Sequence, residues 1–384
     1  MAGSGAPVLI LGSGLAGYTV AREFRKLDRD TPLVIVSRDA AGFYSKPMLS
    51  NALTAGKTAA ALEITNAAGM AAQLGAKVLA NTEVHAIDTA ARLAHTAGGP
   101  LEWRQLVLAP GADPMVVPIE GDAADAVLQV NDLADYARFR TALESGRRVV
   151  LLGAGLIGCE FANDLAGAGY GVELVDPAPQ ALGRLLPPEA ARRVQDALSA
   201  IGVRWHLGTT ARAVSRNGAA LRVALANGTV LEADTVLSAI GLRPRLALAR
   251  AAGLAVNRGI VVDRMLRTSA PDVYALGDAA EVEGRVLPFV LPLMVAARAL
   301  AKTLAGTPTP LAWPAMPVVV KTPAMPVVVS PPADPAGGWR IEADAAGMTA
   351  RYEDPAGALT GFALVGAATA QKQALAKGLP PILA

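Results

Sequence analysis

Short runs dominated by Val, Leu, Ile and Ala recur along the chain, at residues 8–11, 33–36, 106–109, 149–152 and 172–175. A strand with one wet face alternates apolar and polar positions. Runs that are apolar at nearly every position fit strands covered on both faces, as in parallel sheets. Two further runs, 236–241 and 273–278, end in turns containing glycine. Between these runs lie stretches rich in Ala and Leu, which predict helices over 16–27, 131–146 and 156–168. Strand, helix and strand in that order make a βαβ unit. Near 77–87 and 93–103 the pattern alternates, predicting strands with an exposed face. From about Thr307 the composition turns to Pro, Val and Trp, with a near-repeat of Met-Pro-Val-Val-Val at 316–320 and 325–329. These read as two edge-tolerant strands with proline at their ends, part of a small C-terminal α+β domain.

Two of the strand-to-helix junctions share one design: Gly12-Ser13-Gly14-Leu15-Ala16-Gly17 and Gly153-Ala154-Gly155-Leu156-Ile157-Gly158. The first glycine of such a turn permits a tight bend, and the second lets backbone approach a pyrophosphate. The third lets helix pack on strand, while the helix N-terminus faces the phosphate. One such turn points to a dinucleotide, and two point to a pair that exchanges electrons. Asp176 ends the second strand of the later unit, 176 − 158 = 18 residues beyond Gly158, near the offset of a ribose 2′-hydroxyl ligand. An acid there repels a 2′-phosphate, which favours NADH over NADPH. The earlier unit reads Val36-Ser37-Arg38-Asp39 at the same place, so its ribose contacts fall to Ser37, the backbone at Arg38, or Asp39. Asp278 follows Gly277 just past the end of an apolar strand, the sheet edge where ligands bind in open α/β folds. It serves there either as an acceptor for sugar-alcohol hydroxyls or as a helix N-cap.

Size and charge narrow the classes. The 384 residues suffice for two or three domains, and 52% are hydrophobic, yet no stretch reaches the ~20 apolar residues of a membrane span. A formal net charge of +2 is too balanced for a nucleic-acid partner. The N-terminus shows no basic leader, so a cytoplasmic location is expected. One cysteine, Cys159, excludes an internal disulfide framework. Three scattered histidines give no metal-ligand spacing, so no metal is expected.

The two glycine turns, Leu108-Ala109-Pro110-Gly111-Ala112, Ala239-Ile240-Gly241-Leu242-Arg243-Pro244 and Gly277-Asp278 together resemble the two-dinucleotide flavoprotein reductases. Within them, Tyr44-Ser45-Lys46-Pro47-Met48-Leu49-Ser50, the segment 155–165 and Val320-Lys321-Thr322-Pro323 look like the bacterial rubredoxin reductases. The resemblance implies an α/β fold of glutathione-reductase type, with two Rossmann-like domains and the C-terminal domain. It implies a discontinuous FAD-binding domain at 1–113 and 238–308, an NADH-binding domain at 114–237, and the remainder at 309–384. It also implies an enzyme using FAD and NADH, with rubredoxin, a small acidic iron protein, as electron acceptor. A ferredoxin or flavorubredoxin acceptor is the nearest alternative, and a redox-sensing flavoprotein is the rival from another class.

Site residues follow by the same resemblance. Cofactor contacts are assigned to the two glycine turns, to Ser37, Arg38, Val84, Ala109, Gly111, Asp176, Gly241, Asp278 and Val290, and to Lys46, Glu160 and Lys321. Lys46 and Glu160 are the expected catalytic pair. Lys46 would place an ammonium near the flavin, or is an exposed lysine at a helix start. Glu160 would pair with Lys46 and face the nicotinamide, or complement a helix dipole. Lys321, flanked by Val320 on an apolar strand, would reach the flavin's pyrimidine carbonyls or blunt a sheet edge. Segment 43–53 lacks the cysteine that disulfide reductases of this superfamily carry there, so electrons are expected to leave the flavin directly. Cys159 reads as a small buried residue.

Overall fold

The structure is a computed structural model describing residues 5–116 and 118–384. Its architecture is α/β. Five parallel strands make the first sheet, in the order Val273–Ala275, Gln105–Leu108, Val8–Leu11, Leu33–Val36 and Lys77–Leu79. Five more make the second: Val127–Gln129, Thr235–Ser238, Arg148–Leu152, Gly171–Asp176 and Val203–Leu207, again all parallel. The two orders superimpose, and only the source of the outermost strand differs. The first sheet takes it from late in the chain, whereas the second takes it from just before its first strand. Each unit also carries a three-stranded antiparallel sheet, Val84–Asp88 with Leu93–Thr96 and Gly99–Glu102 in one, Ala211–Asn217 with Ala220–Leu225 and Val230–Ala233 in the other.

Residues of the central strands Val8–Leu11, Arg148–Leu152 and Thr235–Ser238 are buried, as the apolar runs require, and only Arg148 at the start of its strand is exposed. The alternating stretch at 77–87 is divided: Lys77–Leu79 joins the parallel sheet, and Val84–Asp88 begins the antiparallel one. The chain crosses between units at Ala112–Pro114 and returns at Leu242–Pro244, and the two crossings pair antiparallel. Ser238 lies in the second sheet, so the return falls a few residues beyond the expected position 238.

The C-terminal sheet runs Val318–Val320, Val327–Ser330, Leu359–Gly366, Gly347–Glu353, Gly338–Ala343, all neighbours antiparallel. Val318–Val320 is an edge. Val327–Ser330 lies inside the sheet, because Leu359–Gly366 pairs with its other side; Pro326, which has no N–H to give, still accepts from the Gly366 amide at 2.9 Å through its carbonyl. Val320, Val327, Val329, Met348 and Val365 share one core with Cys159, Phe161 and Leu165 of the second unit and with Leu49, Ala52 and Leu62 of the first. Apolar burial thus joins three parts of the chain at one place.

Candidate functional site

The glycines of the two turns divide into two kinds. Gly12 and Gly153 have φ of +113° and +108°, a region open mainly to glycine. A Cβ on Gly12 would overlap the Ala109 carbonyl, and one on Gly153 would lie 2.7 Å from the Ala239 oxygen. Gly17 and Gly158 press on the carbonyls of Gly12 and Gly153 respectively. These four are demanded by the chain's own packing. Gly14 and Gly155 are not: their backbones are ordinary and extended, and a Cβ on either would meet nothing within 4 Å. Each begins a helix, Leu15–Arg25 or Leu156–Gly167, that has no side-chain cap and no acid in its first turn. Free N–H groups, a positive dipole end and an open approach are what a pyrophosphate needs. The two turns therefore fit dinucleotides.

Beyond the phosphates the units differ. Asp176 Oδ2 accepts from the Ala154 amide at 2.6 Å and Oδ1 from the Ala178 amide at 2.7 Å, which fixes the carboxylate beside the second glycine turn. In the first unit Ser37 takes the corresponding place, and its hydroxyl bonds Ser13 Oγ and Asp39 Oδ1, both at 2.7 Å. Asp39 also accepts from the Ala41 amide at 2.9 Å. A negative charge is thus present in both units, but displaced two residues along the chain in the first. Arg38 is exposed and reaches Asp113 at 3.3 Å, and Arg245 binds the same carboxylate. These guanidiniums hold the Asp113 carboxyl below its usual range against the opposing effect of burial.

Gly277, with φ of +79°, sets its Cα against Ala16, where an added Cβ would lie 3.0 Å from the alanine methyl. That close approach brings Asp278 to the first glycine turn. Burial pushes the Asp278 carboxyl up, opposed by Lys46 and Arg245; burial likewise pushes the Lys46 ammonium down, opposed chiefly by Asp278. Among the described residues neither side chain makes a hydrogen bond or close ion pair, so both half-buried polar groups are left free to meet a ligand. A ligand carrying hydroxyls and hydrogen-bonding ring atoms satisfies both, and FAD fits that description. Gly111 and Gly241 line the crossings with φ of +73° and +121°. Ala109 is buried beneath Gly12. Val84 begins an antiparallel strand of the first unit, and Val290 begins the helix Val290–Leu304 with 39% exposure.

The expected pairing of Lys46 with Glu160 is not formed. Glu160, on the helix Leu156–Gly167 and wholly buried, pairs instead with the Lys321 ammonium. Ser50 Oγ donates to Glu160 Oε2 at 2.5 Å, and the Lys321 amide donates to Oε1 at 2.9 Å. The reason is positional: Lys46 opens the short helix Lys46–Asn51 and looks to Asp278, whereas Ser50, one turn later, faces Glu160. Lys321 accordingly neither blunts an edge nor stands free. Cys159 is buried, its Sγ lies 3.4 Å from the Ala154 carbonyl, and desolvation pushes its thiol far up. It is no nucleophile at neutral pH. Sequence reasoning missed Ser50, Asn51, Asn163, Asp164, Arg245 and Asp113. The signal for the middle pair was present as polar residues spaced with Glu160 on an otherwise apolar helix.

The chain belongs to the pyridine nucleotide-disulphide oxidoreductase family, whose model matches residues 6–301. A second model, described as a rubredoxin binding C-terminal domain, matches 310–379. The chain is 48% identical to a rubredoxin-NAD(+) reductase of Alcanivorax borkumensis, over 98% of its own length and 99% of the relative's. A nitric oxide reductase FlRd-NAD(+) reductase of Aeromonas hydrophila is 40% identical over 95% and 94% of the two chains. Among solved structures, that of the covalent putidaredoxin reductase–putidaredoxin complex matches with a TM-score of 0.88 at 26% identity, covering 98% of this chain and 94% of that one. Among the described residues no helix is long and apolar enough to cross a membrane.

Proposed function

We propose that this protein is an NADH:rubredoxin reductase, with FAD on the first glycine turn and NADH on the second. Bound FAD supplies the chemistry that links a two-electron hydride donor to a one-electron acceptor. The chain's own residues bind and orient. The amides after Gly14 and Gly155 receive the pyrophosphates, Asp278 and Lys46 flank the flavin, and Asp176 takes the NADH ribose and disfavours a 2′-phosphate. With Cys159 sealed in the core, the chain offers no thiol relay among its described residues. The domain at 309–384 is assigned to acceptor docking, and the two earlier segments and 114–237 to FAD and NADH. The observation that carries the reading is the pairing of two open-faced glycine turns with a C-terminal domain of rubredoxin-binding type in one chain.

Similarity to the Aeromonas hydrophila protein favours a second acceptor, a rubredoxin-like domain within a larger reductase. A cytoplasmic location goes with this reading of the chain as an electron-transfer reductase, similar to its rubredoxin-NAD(+) reductase relative. The test is acceptor selectivity of the purified, FAD-loaded protein. NADH oxidation should couple efficiently to rubredoxin, less so to flavorubredoxin, and poorly to a plant-type ferredoxin. Preference for the ferredoxin would overturn the assignment.

A further inference from the structure

Glu160, Asn163 and Asp164 lie on one stripe of the helix Leu156–Gly167, and all three are buried in an otherwise apolar element. Each is satisfied by a segment outside its own unit. Asn163 Oδ1 accepts from the Ala324 amide at 3.0 Å. Asp164 accepts from the Leu53 and Thr54 amides at 2.8 and 3.0 Å, and from the Thr54 hydroxyl. Glu160 takes Ser50 and Lys321. The second nucleotide helix is thereby fastened to residues 50–54 of the first unit and to 321–324 of the C-terminal domain.

Lys321 is the centre of this junction. Its amide donates to Glu160 Oε1, and its carbonyl accepts from Asn51 Nδ2 at 3.0 Å. Its ammonium donates to Glu160 Oε2, to the Pro47 carbonyl at 2.7 Å and to Ser50 Oγ at 3.1 Å. Both oxygens of Glu160 are therefore occupied, which fixes the rotation of the carboxylate. Segment 46–51 spans the space between the two glycine turns: at one end Lys46 faces Asp278 beside the first, and at the other Ser50 meets Glu160, two residues past Gly158. Apolar packing alone would join domains at least as firmly as a buried ion pair, so stability does not explain why a charge from the C-terminal domain is spent here.

We infer that Lys321 is a positioning residue for the nucleotide exchange site. It compensates and orients Glu160 and ties it to the segment carrying Lys46, so the site is complete only with the C-terminal domain in place. The inference rests on the NADH reading above.

The test uses full-length, FAD-loaded protein bearing Lys321→Met, Glu160→Gln, or both. Bleaching of the flavin band by saturating NADH is followed without acceptor, NAD+ affinity is measured by calorimetry, and amide hydrogen exchange is recorded before nucleotide is added. Lys321→Met should slow the limiting rate about tenfold or more while changing NAD+ affinity less than about threefold, the pattern of misplacement rather than lost binding. Exchange should rise over 46–54 and 156–164 and stay unchanged in the two parallel sheets. In the Glu160→Gln background the same change should cost less than about threefold, because the charge it orients is gone. Lys321→Arg should recover at least about a third of the wild-type rate. Should Lys321→Met fail to fold, Lys321→Arg against Lys321→Gln makes the same comparison. Equal loss in both backgrounds, or no loss, overturns the inference. Failure of NADH to bleach the wild type instead overturns the NADH reading itself.

Discussion

Gly155→Ala should separate folding from nucleotide binding. The residue has φ of −74° and ψ of −169°, a conformation open to any amino acid, and a Cβ there finds no atom within 4 Å. Alanine restricts the unfolded chain, favouring the fold by about 0.4–1 kcal/mol. It is also a poorer N-cap than glycine by a comparable amount. The two effects offset, so the melting temperature should move by less than about 3 °C. Binding has no such compensation. The methyl occupies the approach of the pyrophosphate to the backbone, and overpacking costs about 1–3 kcal/mol. At about 1.4 kcal/mol per decade this weakens NAD+ binding roughly 5- to 150-fold. Gly158→Ala should show the opposite signature, since its Cβ overlaps the Gly153 carbonyl and the fold itself must shift. Scanning calorimetry and titration with NAD+ read both quantities. A folded Gly155→Ala protein that binds NAD+ as tightly as wild type would show that the phosphate does not sit at this turn.

Asp176→Ser should lower kcat/KM for NADH by about tenfold or more, the worth of a hydrogen bond to a charged acceptor, and raise that for NADPH; an unchanged ratio would remove this acid from the ribose. Asp278→Ala should release FAD on desalting while thermal unfolding of the flavin-free protein changes little, because burial already disfavours the charged carboxylate. Retained flavin would refute its placement. The Asp113 carboxyl is depressed by Arg245 and Arg38, so its contribution is present above the unfolded pKa of about 3.9 and is lost as pH falls through the lower folded value. Asp113→Asn should therefore move acid unfolding to higher pH, and an identical acid midpoint would count against an ion pair at the crossings.

Strands were legible where sequence and burial state the same thing. The runs at 8–11 and 33–36 are apolar throughout because both sheet faces are covered, and the structure gives Val8–Leu11 and Leu33–Val36 with those bounds. The glycine turns were legible for a related reason, since each glycine answers a local demand of turn, approach or packing. What the sequence hid was long-range pairing. Lys46 and Glu160 are both plausible partners by charge, but nothing local says that Lys46 faces Asp278, 232 residues away by 278 − 46, or that a lysine of another domain claims Glu160. The inner position of Val327–Ser330 was hidden likewise, because edge and interior strands differ in their partners rather than in their own residues.

The central step is delivery of a hydride by NADH, whose two electrons leave singly to two rubredoxins while its proton is released. Its most direct test is anaerobic stopped-flow: one equivalent of NADH is mixed with the FAD-loaded protein, and the product is then mixed with oxidised rubredoxin while both chromophores are monitored. Flavin bleaching should be rapid, followed by recovery of the flavin band in step with reduction of two rubredoxins per NADH. Flavin that NADH leaves unbleached, or reduced flavin that leaves rubredoxin oxidised, would contradict it.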